Sequence, residues 1–174
     1  MVSSGSSRPD DYLIRQIIQL AEGIFRILGL LKDDQPREAL GAIDREIESL
    51  LVMGHRAEAV FTLENAELNA LLGISAINEV DYLHRCLALA ALVEARGDAL
   101  VGLQRESEAR AAWLRALDIA VGVYEGLREQ GVDYELPEFA PPLDRLRGKV
   151  APQDLPPWLA GRLDALSAGP DHRH

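Results

Sequence analysis

The sequence is short of the residues that build chemistry. It holds one cysteine, Cys86, among 174 residues. An intramolecular disulfide is therefore excluded, and the disulfide framework of small secreted domains with it. Histidine is nearly as scarce, at four. Zinc needs three or four converging ligands. His84 and Cys86 are two apart on a helical stretch, so their side chains point about 200° apart. They read as a buried Cys beside a surface His. Asp81 and His84, three apart, read as first-turn charge plus an exposed ring. No Glu-x-x-His occurs, which argues against a di-iron bundle. His-Glu-x-x-His, Gly-x-Ser-x-Gly and Gly-x-x-x-x-Gly-Lys are missing as well. The expectation is a protein without catalytic machinery, cofactor or metal.

Long apolar runs are also lacking. No stretch of 18 uncharged apolar residues exists, so no transmembrane helix is expected. Met1 to Asp10 is polar and rich in Ser, without the apolar core of a secretory signal. The cytoplasm is the expected compartment. Positive charge is in deficit: 18 Lys and Arg face 28 Asp and Glu, for a net charge of −10 at pH 7. Such a field opposes nucleic acid and anionic membrane, and favours protein or peptide partners with basic patches.

What is present is helical periodicity. Hydrophobic residues make up 48% of the chain, enough for one domain with a substantial core. The expected division is a flexible tail over 1–10, a single helical domain over 11–168 and a second tail over 169–174. The organising stretch is Asn78 to Gln130, two long helices joined by a short turn. Asn78 is a good N-cap, with Glu79 and Asp81 in the first turn. Leu83, Leu87, Ala90 and Val93 recur at helical spacing, and the set continues through Leu100 and Leu103. Gly97 lies inside the run. Either another helix comes close there, or Gly97-Asp98 is a break. The second helix starts near Ser107, places Ala109, Trp113, Ala116 and Ala120 on one face, and ends at Gly131.

The rest of the chain follows the same logic. A helix over Asp11 to Leu31 carries Leu13, Ile14, Ile17, Ile18, Leu20, Ile24, Phe25, Ile27, Leu28 and Leu31. Only a narrow stripe of Arg15, Gln19, Glu22 and Arg26 is polar. So wide an apolar face needs burial on two sides. The first reading is the central core helix. The second is a helix with part of its face in a homodimer contact, and a membrane-surface anchor comes third. Pro36 opens the next helix, with Ala39, Leu40, Ile43, Ile47, Leu50 and Leu51 inward. A short helix is expected from a Thr62 cap to about Leu72. Val132 to Pro157 holds six prolines and reads as a surface segment with one short helix over Leu143 to Arg147. A last helix, Pro156 to Ser167, packs through Trp158, Leu159, Leu163 and Leu166.

Gly97, Leu100, Ala109, Trp113, Ala116 and Leu117 resemble the pattern of a tetratricopeptide repeat. Arg96 stands where that pattern has an apolar residue, and Gln104 where it has a turn Gly. The whole chain also resembles an uncharacterised bacterial family of small helical proteins. The likeness lies in Asp11-Tyr12-Leu13-Ile14-Arg15, Leu28-Gly29-Leu30-Leu31, Arg37-Glu38-Ala39-Leu40 with Ile43-Asp44, and the hairpin. The resemblance implies an all-α fold: antiparallel hairpins packed as a tetratricopeptide-like right-handed bundle or short solenoid. It implies no activity. It also directs attention to Ala91, Glu94, Asp98 and Val101, which would line the surface such proteins use to bind peptides. Being acidic, that surface would select a basic ligand, unless Arg110 and Arg115 neutralise it. Trp113 is expected in the core. Trp158 is expected either to staple the last helix or to sit at a dimer contact.

Overall fold

The computed structural model describes residues 9–131 and 134–168. The expected tails therefore lie outside the described residues, except Pro9 and Asp10, which are helical. Helix α1 spans Pro9–Lys32, α2 Pro36–Leu51, α3 Asn65–Ile74, α4 Glu79–Gly102, α5 Glu106–Gln130, α6 Leu143–Lys149 and α7 Pro157–Ser167. Single turns of 3-10 helix occur at Ala57–Phe61 and Pro152–Asp154, and no strand is found among the described residues. The chain is all-α.

Local chemistry sets most of the boundaries. Pro36 opens α2, where a missing N–H is no loss. The Asn78 side chain accepts a hydrogen bond from the Asp81 amide at 2.9 Å and caps α4. Gly131 ends α5 in the left-handed conformation, φ 62°. Thr62 does not cap α3 as expected. It closes the preceding 3-10 turn, with its hydroxyl on the Ala59 carbonyl. The α3 helix begins three residues later, where the Glu64 amide donates to the Glu67 carboxylate at 3.0 Å.

Helix α4 is unbroken through Gly97. A Cβ at that position would overlap the Trp113 indole, so the glycine lets α5 lay this ring directly on the α4 backbone. Trp113 is only partly buried. Its indole N–H donates to Asp98 at 3.0 Å, which keeps the polar edge at the rim of the contact. The α4–α5 turn places Gln104 at φ 60°. A non-glycine residue there carries roughly 1 kcal/mol of strain.

The centre of the molecule is α4, which packs against α1, α2, α3 and α5. Every residue from Cys86 to Ala95 is buried. Arg96 substitutes for an apolar residue by packing over the Phe61 ring at 5.3 Å and pairing with Asp44 at 3.0 Å. The expectation that α1 is the central helix is corrected. Of its side chains only Ile24 and Ile27 are fully buried. As the first helix of the stack it has neighbours on one side alone.

Candidate functional site

The acidic pair on α4 does not face open solvent. Glu94 is 4% exposed and Ala91 6%. Helix α6 lies over them. Arg145 donates to both Glu94 carboxylate oxygens, at 2.9 and 2.7 Å. Lys149 reaches Glu94 at 3.0 Å and both Asp98 oxygens at 2.7 Å. Lys149 also stands 5.8 Å from the Trp113 ring centroid. The surface does take a basic segment, and that segment belongs to the same chain, about fifty residues downstream. Arg110 and Arg115 play no part. Arg110 pairs with Asp154 at 3.7 Å, and Arg115 turns the other way. Of the four residues expected to line the surface, only Val101 is largely exposed. A cavity of about 190 Å³ remains between α1, α4 and α6, lined by Leu28, Ala91, Glu94 and Lys149 among others.

Arg115 instead pins the irregular segment to α5. Its guanidinium donates to the carbonyls of Val60 (2.7 Å) and Leu63 (2.8 Å), to Asn65 (2.7 Å) and to Asp118 (3.0 Å). Asp118 is buried and also takes Arg162 of α7 at 3.0 Å. The Asp81 carboxylate accepts from the Ile77 amide at 3.0 Å and from Arg85 at 3.1 Å. His84 is buried, not on the surface as expected. Tyr134 and Phe139 from the proline-rich segment pack edge-on against its ring. Its Nδ1 lies 2.8 Å from the Val80 carbonyl. Cys86 is buried as expected, and burial pushes its thiol pKa up to about 11. Among the described residues, no side-chain nitrogen or oxygen is buried without a hydrogen-bond partner. These polar groups are occupied with one another, which makes them structural ties.

Among the described residues, apolar surface is exposed on α1 and around Trp158. On α1, Ile14, Ile18, Phe25 and Leu28 are exposed at 43–55%. With the partly buried Ala21 they repeat at alternating steps of four and three residues, one continuous stripe on a helix. The second surface surrounds Trp158, which is 55% exposed. It lines a shallow groove of about 350 Å³ with Phe61, Leu114 and Leu159. Trp158 does not staple α7; the buried Leu159 and Leu163 do. Arg162 lies over its ring at 5.8 Å. Sequence reasoning put a fully buried α1 first and a partly exposed one second, because periodicity counts apolar residues and not neighbours. The alternating stripe was the available signal.

Among the described residues no three His, Cys, Asp or Glu side chains come together as metal ligands, and no helix is long and apolar enough to cross a membrane. No protein family matches the chain, and neither curated proteins nor solved structures give a significant match.

Proposed function

We propose that this chain is a non-enzymatic, cytoplasmic helical interaction protein of tetratricopeptide-like type, and that the outer face of α1 is its docking surface. The observation that carries the reading is the exposed stripe Ile14, Ile18, Phe25 and Leu28 on a helix at the edge of the described bundle. Stacked helical proteins need a polar outer face on their terminal helices to stay soluble. An apolar one is accounted for by a partner that covers it. A helix is the natural occupant, because a four-three stripe accepts knobs from a second helix. The acidic surface at Glu94 and Asp98 is secondary on this reading, since α6 already fills it.

The test compares opposite faces of one helix. Ile18→Glu and Phe25→Glu together should leave helical content and cooperative unfolding intact at low protein concentration. Ile27→Glu, at a fully buried position, should unfold the chain. Circular dichroism reads both. Loss of structure in the outer-face variant would mean that the stripe is core, and the docking reading would fall.

A further inference from the structure

Resting on that reading, we infer that the occupant of the α1 face is a second copy of the same chain, with the two α1 helices paired antiparallel about a two-fold axis. Three features of the face lead there. The first is its pattern. Ile14, Ile18, Ala21, Phe25 and Leu28 are spaced as the d and a positions of a heptad seam. The seam runs through the middle of a 24-residue helix, with one small residue near its centre. When Ile18 of one copy lies against Ala21 of the other, Ile14 falls opposite Phe25. The large side chains then meet across the axis, and Ala21 lets the helices approach.

The second is charge. Arg15 and Glu22 flank the seam on one side, exposed and seven residues apart. In the antiparallel register just given, Arg15 of each copy comes within a turn of Glu22 of the other, and the two-fold axis makes this pair twice. Opposite signs along one flank match a copy of itself, because every Arg15 needs a Glu22 and the same surface supplies it. Neither residue has an ion-pair partner in its own chain among the described residues, whereas Arg26 on the same flank is already held by Glu46 at 3.1 Å. A lipid surface fits less well, since interfacial helices carry a basic polar face and this one is mixed.

The third is area. About half-exposed, the stripe and its rim offer roughly 500 Å² per copy, hence about 1,000 Å² over a two-fold pair, the area at which weak, transient interfaces begin and below that of a standard stable one. An interface of that size belongs with weak, reversible association, and charge and packing along the seam set its strength more than area does.

Light scattering and sedimentation of the full chain across a hundredfold concentration range test this directly. The mass should rise from the 19.1 kDa of one chain toward twice that value. Ile18→Glu should hold it at one chain throughout. Arg15→Glu alone should weaken association several-fold, and adding Glu22→Arg should restore it. Failure of the charge reversal to rescue would overturn the antiparallel register. A wild-type chain monomeric at every concentration would overturn self-association. If the Ile18→Glu, Phe25→Glu variant still folds in that case, the docking surface survives and another protein covers it. Co-sedimentation of that monomer with anionic phospholipid vesicles, lost in the same variant, would assign the face to lipid and overturn both readings.

Discussion

Helices α1 and α4 have the same length, 24 residues, and opposite fates. By sequence the two are about equally apolar, and α1 carries the bulkier apolar side chains beside a thin polar stripe. Helix α4 carries Asp81, His84, Arg85, Glu94, Arg96 and Asp98 along its length. Yet α4 is buried and α1 lies at the edge. The neighbouring helices decide burial here: α1, α2, α3 and α5 pack on α4, and α6 lies over Glu94. Its charges are tolerated because each finds a partner from another element: Asp44 for Arg96, Arg145 and Lys149 for Glu94, Ser75 for Arg85. The apolar surplus of α1 has no such partner among the described residues.

Matched substitutions put this contrast at risk. Leu92→Ala, at a fully buried site on α4, should cost about 3–4 kcal/mol in denaturant unfolding. Leu28→Ala on α1 should cost below about 1 kcal/mol when the protein is dilute. Similar losses at both sites would erase the distinction. The glycines sharpen it further. Gly97→Ala forces the Trp113 ring off the α4 backbone and should destabilise by roughly 1–3 kcal/mol. Gly29→Ala on α1 meets nothing within 4 Å. It should stabilise by up to about 1 kcal/mol through helix propensity alone. The last contrast is a pH dependence.

Cys86 on α4 titrates near pH 11 in the folded chain, above an ordinary thiol at 9.0, because burial disfavours the thiolate. Its folded pKa is raised, so the contribution is complete below pH 9 and is lost as pH rises toward 11. Tyr82 shifts in the same direction, chiefly through burial. Thermal melts from pH 8 to 11 should show this decline, shallower in Cys86→Ala. An equal slope in both proteins would mean that the α4 interior is wetter than described.

Much of the fold was legible in the sequence. Asn78, Pro36 and Gly131 act within a turn of their own position, so cap and breaker chemistry marks their helices. Gly97 was readable as a close approach, although only the structure shows that Trp113 makes it. The site was less legible. Glu94 and Asp98 are covered by residues some fifty positions away, from a helix of seven residues. His84 is covered by Tyr134 and Phe139, which belong to a segment that reads as surface. Periodicity reports which face of a helix is apolar and carries no information about what a distant loop will bring to it.

The C-terminal segment is joined to the rest of the chain by buried Phe139, Leu146, Leu159 and Leu163 and, beside them, by ion pairs: Arg145 and Lys149 on Glu94, Arg162 on Asp118 and Glu125. Several of these pairs lie partly in solvent, where added salt screens them, while the α4–α5 contact is apolar and indifferent to it. Ionic strength therefore grades the molecule into a firm part and a releasable one. Amides of α6 and α7 should exchange with deuterium sooner as salt rises, with α4 unchanged.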